Sequence, residues 1–159
     1  MFGLRNRELF TPRGISFVAI ADNRSYVNEY RFVLQDINDV TVNPEPVVLF
    51  PQFLVACGDI DPVARNMVIY ADTVAYPNLP PYYPVVGNHE FETPSDMKYI
   101  LNSMIPYLEN RVNSGIQGTS SFDYGTVHCV VLDQYSTNGE GEVDEHLQDW
   151  LQAVRNATE

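Results

Sequence analysis

The stretch PVVGNHE, residues 84–90, ends an apolar run in a glycine, an amide, an imidazole and a carboxylate. No charged residue interrupts the run itself, which predicts a buried strand that stops at Gly87. In open α/β folds, ligands commonly bind at the carboxyl ends of the strands. We therefore expect Asn88, His89 and Glu90 to lie together at such an edge and to hold a ligand there.

Two earlier apolar runs end in the same manner. The run ISFVAIA, 15–21, is followed by Asp22, and the run FLVAC, 53–57, is followed by a glycine and Asp59. Because the carboxyl ends of parallel strands share one edge of a sheet, Asp22, Asp59 and Asn88 are expected to converge from distant parts of the chain. Two carboxylates at one edge need a positive charge between them, and carboxylate and amide oxygens suit a hard divalent cation. The pattern therefore predicts a metal site.

Each of these residues has an ordinary structural interpretation when it is taken alone. An aspartate after a strand is usually a helix cap, a Gly-Asp pair is usually a turn, and a single histidine is usually a satisfied polar group. The functional interpretation depends on the three strand ends occurring in series, which is a much rarer pattern.

Composition limits the class of partner. The chain has 159 residues, 45% of them hydrophobic, which is enough for one domain with a sizeable core. Its formal net charge is -12, so a nucleic-acid backbone or an anionic membrane would be repelled and cations would be attracted. No run approaches the roughly 20 apolar residues of a membrane span, and the first residues lack the long apolar segment of a signal peptide. We expect a soluble protein without nucleic-acid or membrane partners and leave its compartment open.

Strand and helix signals alternate along the chain, which predicts an α/β fold with a parallel or mixed sheet. Apolar residues at helical spacing predict a helix over 29–40. Asp61 followed by a proline predicts a second helix over 62–76, and the pattern Thr-Pro-Ser-Asp predicts a third over about 93–108. Pro106 is expected to kink or shorten that third helix.

The last part of the chain predicts a hairpin and a helix. Two strand-like runs divided by Gly125 predict a β-hairpin, and apolar residues from Val143 to Val154 line one face of a final helix. Cys57 and Cys129 each lie inside an apolar run, which favours free thiols in the core over a disulfide.

The segments FVAIADNR, VACGDID and VVGNHE, in this order and at these spacings, resemble the first three motifs of the calcineurin-like metallophosphoesterases, which include the purple acid phosphatases. The later segments SSFDYGTVHCVVLDQY and HLQDWLQAVRN resemble the hairpin and helix that follow in that family, so the resemblance covers roughly residues 14–156. It implies an αββα sandwich of two sheets with helices outside. It also implies hydrolysis of a phosphate ester by water that two divalent metal ions activate, with Mn, Fe and Zn all open as the metal.

The resemblance implies a role for each strand-end residue. Asp22 would bind one metal ion, Asp59 would bridge both ions, and Asn88 would bind the second ion and touch the substrate phosphate. His89 would be the catalytic imidazole, which protonates the leaving oxygen or steadies the transition state. Two ions roughly 3.5–4 Å apart would clamp the attacking and leaving oxygens of an in-line displacement. The substrate would be a phosphorylated small molecule or another phosphoester, and the resemblance does not say which.

The sequence also departs from the family pattern. Arg24 stands where the first motif usually has a histidine, and a guanidinium cannot ligate a metal. We weigh two interpretations of Arg24 equally: a bidentate ligand of the substrate phosphate, or a solvated loop arginine. The family takes its remaining imidazole ligands from later motifs, whereas His128 lies within a predicted strand and His146 on the polar side of a predicted helix.

The chain therefore resembles the first half of a phosphoesterase domain, a single partial domain over 1–159, and we expect it to be inactive alone. Half a sandwich would leave an apolar sheet face uncovered, which predicts a homo-oligomer or aggregation through that face. The alternative hypothesis is a non-catalytic interaction module that keeps the first half of the fold. The joint presence of the three predicted metal ligands and His89 favours the enzyme, because a module without chemistry has no packing reason to keep that set.

Overall fold

Strands and helices alternate in the first half of the chain, so the predicted α/β class is confirmed. A computed structural model describes residues 15–42, 51–73, 80–105, 111–113, 117–135 and 141–158. In chain order the described elements are β1 (Phe17–Ile20), α1 (Val27–Val42), β2 (Phe53–Cys57), α2 (Val63–Thr73), β3 (Tyr82–Val85), α3 (Asn88–Glu92), α4 (Pro94–Tyr99), a π-helical turn (Ile100–Met104), β4 (Arg111–Asn113), β5 (Ser120–Tyr124), β6 (Val127–Val131) and α5 (Glu145–Thr158).

The strands among the described residues form two sheets of three strands each. β1, β2 and β3 are parallel and adjacent in that order, with Phe17 opposite Phe53 and Leu54 opposite Tyr82. β4, β5 and β6 form an antiparallel sheet in sequence order. Gly125 lies in the turn between β5 and β6 with a φ of 59°, a left-handed conformation that favours glycine. The hairpin predicted at this residue is therefore confirmed.

One face of the parallel sheet packs against helices. Successive strand residues point to opposite faces of a sheet, and Leu54 and Ala56 of β2 point to the helical side, where each is 0% exposed. Tyr30, Leu34 and Ile37 of α1 pack in the same core, and their spacing places them on one side of the helix. The helical periodicity of the sequence thus identifies these three residues of the buried face, whereas Val33, which belongs to the same apolar pattern, is 43% exposed.

The other face of the parallel sheet packs against the antiparallel sheet through aromatic rings. Phe122 stacks on Tyr83 with 3.8 Å between ring centroids and meets Phe53 edge to face at 5.4 Å. All three side chains are 1% exposed. The expectation of an uncovered sheet face is therefore wrong along β2 and β3. Phe17 of β1, in contrast, is 55% exposed.

The helix boundaries differ in part from the predictions. α2 begins at Val63, and the main-chain N–H of Val63 donates to the carboxylate of Asp96 at 3.0 Å. A buried aspartate from α4 thus caps α2, while the side chain of Asp61, the predicted cap, accepts a hydrogen bond from Arg24. α4 continues as the π-helical turn. The predicted ends of two helices, 74–76 and 106–108, lie outside the described residues.

The prediction that both cysteines are core thiols is wrong for one of them. Both are free, but Cys57 is exposed and Cys129 is half-buried. Cys57 is the last residue of β2 and lies on the face opposite Ala56, beyond the aromatic contact between the sheets. In the part of the chain that the structure describes, no helix has the length and apolar character needed to cross a membrane.

Candidate functional site

A cavity of about 390 Å³ lies at the carboxyl edge of the parallel sheet. Residues from the turn after each parallel strand line it, among them Asp22 after β1, Asp59 after β2 and Asn88 after β3. The turn after β6 forms another wall with Gln134 and Tyr135. The three residues predicted to bind metal thus share one cavity, because parallel strand order brings their turns to the same edge.

The main chain of these turns is in an unusual conformation. Asp22 has a φ of 57°, Asp59 of 54° and Arg24 of 32°, and they are the non-glycine residues of positive φ among those described. Left-handed conformations are unfavourable for residues with a Cβ, and such residues concentrate at functional sites. Hydrogen bonds from Asp22 N to Gly58 O at 3.3 Å and from Arg24 N to Asp59 O at 3.1 Å hold the two turns against each other.

Gly87 allows the turn after β3 to approach the turn after β2. A Cβ at Gly87 would lie 2.4 Å from the Oδ1 atom of Asp59 and 2.7 Å from its main-chain nitrogen. Real Cβ atoms do not come that close, so the approach requires a residue without one. The glycine that ends the apolar run is therefore needed for the site's geometry as well as for the end of the strand.

Glu90 connects the turn after β2 with the turn after β3. Its carboxylate is 0% exposed and accepts hydrogen bonds from the main-chain N–H groups of Gly87 at 2.9 Å, Asp59 at 2.9 Å and Ile60 at 2.6 Å. Burial raises the pKa of the Glu90 carboxyl above its usual value, against the three N–H groups, which lower it. The expectation that Glu90 holds a ligand beside Asn88 and His89 is wrong, because the side chain is enclosed by main chain.

His89 and Arg24 lie beside Asp59 without lining the cavity. The Nη2 atom of Arg24 is 3.3 Å from Nδ1 of His89, and its Nε donates to Asp61 at 3.3 Å. The Nε2 atom of His89 is 3.9 Å from Oδ2 of Asp59. Because a guanidinium has no acceptor, the contact with Arg24 is a hydrogen bond only when Nδ1 carries a lone pair and the proton is on Nε2. In that tautomer the imidazole presents its N–H towards Asp59.

The side chain of Arg24 is partly exposed and contacts two neighbouring side chains. Its side chain is 41% exposed and makes an ion pair with Asp61, whose side chain is 19% exposed. Arg24 is therefore neither freely solvated nor buried. Its guanidinium is oriented by two partners and is accessible to a ligand.

The donors at the cavity fit part of a metal site. Asp22, Asp59 and Asn88 offer two carboxylates and one amide oxygen, which are hard ligands for Mg²⁺ or Mn²⁺. The Nδ2 atom of Asn88 points to Glu92 at 3.4 Å, which leaves the amide oxygen as the atom suited to a cation. Across the described ranges, no group of three or more His, Cys, Asp or Glu side chains is placed to hold a metal ion. A six-coordinate ion here would need water or further residues to complete its ligands.

The other two histidines lie away from the cavity. Nδ1 of His128 is 2.7 Å from Oδ1 of Asp123, its neighbour across the hairpin. His146 is exposed on α5. Neither is among the residues that line the cavity.

Among the residues that line the cavity, sequence analysis gave no site role to Cys57, Gln134 and Tyr135. Cys57 could have been found from strand alternation, because it lies on the face of β2 opposite the helices, at the end nearest the site. Gln134 and Tyr135 follow β6 as polar residues, the same signal that identified the other three turns. The sequence does not show that the carboxyl end of β6, in the antiparallel sheet, faces the same cavity as the ends of the parallel strands.

Comparison of the chain with protein-family models found no match, and a search of curated proteins found none that is similar. The resemblance to metallophosphoesterases thus depends on the sequence segments named above alone. An activity drawn from it is a proposal.

Proposed function

We propose that the cavity at the carboxyl edge of the parallel sheet is part of a metal-dependent phosphoesterase site. The observation that carries the proposal is the meeting of Asp22, Asp59 and Asn88, from three separate strands, at one cavity. Asp22 and Asp59 are also held in left-handed conformations, which cost free energy and are typical of functional sites. The aromatic contact between the two sheets supports the finer proposal of an αββα sandwich.

In this proposal Asp22, Asp59 and Asn88 hold divalent ions, with Mn, Fe and Zn as candidates. Such ions, when bound, would supply charge stabilisation of the phosphoryl oxygens and would lower the pKa of an attacking water. Because the three donors are an incomplete set, we expect weak metal binding by this chain and full activity only with further ligands. The substrate class is a phosphate ester, since hard cations and a guanidinium both favour phosphoryl oxygens.

The chain's own residues orient the substrate and handle the proton. Glu90 holds the main chain of Asp59, which keeps the carboxylate at the edge of the cavity. Arg24 binds a phosphoryl oxygen through its exposed guanidinium, and Nε2 of His89 donates a proton or a hydrogen bond to the leaving oxygen. Asn88, which lines the cavity, contacts the phosphate as well as an ion.

The incomplete donor set is also the observation that favours the alternative, a non-catalytic interaction module. Titration of the full chain with Mn²⁺ and Zn²⁺ distinguishes the two functions. The phosphoesterase proposal expects weak but measurable binding that Asp59→Asn removes, with little or no hydrolysis of p-nitrophenyl phosphate. Asp123→Asn, on the hairpin and outside the cavity, is the matched control and should bind as the wild type does. Equal binding by all three proteins would contradict the metal site, and robust hydrolysis would contradict its incompleteness.

A second comparison separates the role of His89 from that of a ligand. His89→Ala should keep the metal content that Asp59→Asn loses. In any form of the protein that turns over, the loss should be about 10²–10⁴-fold and larger for esters with poor leaving groups, because a general acid matters most there. Loss of metal by His89→Ala, or an equal loss on good and poor leaving groups, would contradict the role of proton donor.

A further inference from the structure

Asn66 joins two turns of the site by a single side-chain amide. It lies in α2 and is 1% exposed. Its Nδ2 atom donates to the main-chain oxygen of Arg24 at 2.8 Å and to that of Ile60 at 2.8 Å. The first oxygen belongs to the turn after β1 and the second to the turn after β2.

An asparagine side chain is energetically unfavourable at position 66. Asparagine is a weaker helix former than alanine or leucine, and Asn66 is inside a helix. Its Oδ1 atom is also buried, with no hydrogen-bond partner among the described residues. A leucine would suit the position better if packing alone mattered, so the donor Nδ2 and what it holds account for the amide.

What Asn66 holds is the main chain of Arg24. Arg24 has a φ of 32°, its N–H donates to Asp59 O at 3.1 Å, and its oxygen accepts from Asn66. The peptide groups on both sides of its Cα are therefore tied to other parts of the site. From this fixed main chain, the Arg24 side chain extends to Asp61 and His89.

Charge explains why a fixed arginine matters here. The turns carry the carboxylates of Asp22, Asp59 and Asp61, and the chain as a whole has a formal net charge of -12. A phosphoryl group that approaches this edge meets like charge unless cations face it. A guanidinium that is already oriented loses less side-chain entropy on binding than a free one.

We propose that Asn66 is the positioning residue for Arg24, whose side chain forms a phosphate-binding arm. It fixes the main chain of Arg24 against Ile60, so that the guanidinium stands beside His89 for a phosphoryl oxygen of the substrate. This inference rests on the proposed function. It adds to that function the side chain that sets where Arg24 binds.

The connection, or tie, that Asn66 makes between the turns after β1 and β2 can be tested without a ligand by amide hydrogen exchange on the full chain. Asn66→Ala should raise exchange about tenfold or more at residues 22–26 and 58–61, because a main-chain oxygen in each turn loses the Asn66 side-chain donor that holds it. Thr73→Val is the matched control. Thr73 is a buried residue of the same helix, and its hydroxyl donates to Ile69 O at 2.8 Å, away from the site. If Asn66→Ala does not fold, Asn66→Leu keeps about the same size and removes the N–H donors. Equal exchange in the wild type and the Asn66 variant, or the same rise in Thr73→Val, would overturn the tie.

A double-mutant cycle tests whether Asn66 acts through Arg24. The probe is inorganic phosphate, titrated in the presence of Mn²⁺. Arg24→Ala should weaken binding about 10–100-fold, as expected for loss of charge-assisted hydrogen bonds, and Asn66→Ala about five- to tenfold. In the Arg24→Ala background, Asn66→Ala should have no further effect, whereas a merely structural role would make the two losses multiply.

The outcomes separate the two proposals. If the losses of phosphate affinity from Arg24→Ala and Asn66→Ala multiply in the double variant, the positioning role of Asn66 is overturned. A wild type that binds no phosphate, with hydrogen exchange as expected, would overturn the proposed function and the phosphate-binding arm with it. Normal phosphate binding with unchanged hydrogen exchange would overturn the role of Asn66 and leave the proposed function standing. Arg24→Lys should recover only part of the affinity, because lysine keeps the charge and loses the planar fork.

Discussion

Distant segments of this chain are joined in two regions, and the interactions that join them differ physically. At the carboxyl edge of the parallel sheet, Glu90 and Asn66 connect turns through buried and partly buried hydrogen bonds to main-chain atoms. Between the two sheets, the contact is made by the rings of Phe53, Tyr83 and Phe122. Apolar burial is non-directional and grows with area, whereas a hydrogen bond restricts both distance and angle. We therefore expect the sheet contact to supply more of the stability than the polar ties do, and the polar ties to set the geometry of the site.

The largest effect should come from Phe122→Ala. Phe122 is 1% exposed and contacts rings on two strands of the other sheet, so its removal leaves a cavity between the sheets. Replacement of a core phenylalanine by alanine costs about 3–5 kcal/mol of unfolding free energy, measured by urea denaturation. Phe122→Leu fills most of the space and should cost much less. Mn²⁺ affinity of the folded fraction should be unchanged. A stability loss under about 1 kcal/mol for Phe122→Ala would contradict the division between the two regions.

Glu90→Gln should affect both stability and the site. The amide keeps the size but turns an N–H group towards main-chain donors, and we expect a loss of about 3 kcal/mol, since hydrogen bonds to charged groups are worth about 1.5–3 kcal/mol each. Because Glu90 holds the main chain of Asp59, Mn²⁺ affinity should fall as well. Glu92→Gln, two residues further along α3 and with a 64% exposed side chain, is the matched control and should stay within about 0.5 kcal/mol. Glu90→Gln with full metal affinity would show that Asp59 does not depend on the tie.

The helical side of the parallel sheet should be sensitive to alkaline pH. Burial raises the pKa of Tyr30 to about 12 from its usual 10.0. The folded state therefore favours the neutral phenol, and its contribution is complete below pH 10 and is lost as the pH rises from 10 to 12. Tyr30→Phe should remove the Tyr30 share of this dependence, on the order of 2 kcal/mol across that range, whereas Tyr70 and Tyr82, whose pKa values burial also raises, keep their own shares.

The control for Tyr30 is the same pair of proteins at pH 8, below both pKa values, where any difference reflects packing and not titration. Unfolding free energies measured in urea at both ends of the range give the comparison. Wild type and Tyr30→Phe that lose stability in parallel between pH 10 and 12 would exclude Tyr30 as the responsible group.

Sequence reasoning identified the apolar runs and the order in which they alternate with helices. The predicted strand over 53–57 coincides with β2, and parallel order then places the three strand ends at one edge. Such features follow from local composition and from the short connections of α/β folds. The roles of Glu90 and Asn66 were not predictable, because each depends on which main-chain atoms surround a buried polar group after folding. The cover of Tyr83 by Phe122 likewise depends on a long-range contact that no local pattern specifies.

The smallest effect, and the one of opposite sign, should come from Asp22→Gly. Asp22 is exposed and has a φ of 57°, so glycine relieves the left-handed strain of about 1–2 kcal/mol, and removal of its charge reduces repulsion at the site. The greater freedom of glycine in the unfolded chain offsets about 0.5–1 kcal/mol of that gain. The unfolding free energy should therefore rise by about 0.5–1 kcal/mol, whereas Mn²⁺ affinity should fall because one carboxylate is lost.

Asp123→Gly supplies the contrast for Asp22→Gly from the other region. Asp123 is an exposed aspartate inside β5, where glycine weakens a strand, and its replacement also removes the contact with His128. Its stability should fall by about 0.5–1 kcal/mol and its Mn²⁺ affinity should stay that of the wild type. Urea denaturation and metal titration of the two variants side by side measure both quantities. A gain of stability with a loss of metal affinity, seen at Asp22 alone, is the behaviour of a residue kept in a strained conformation for binding. If Asp22→Gly lost stability as Asp123→Gly does, the turn after β1 would be an ordinary loop and its conformation would give no support to a functional site.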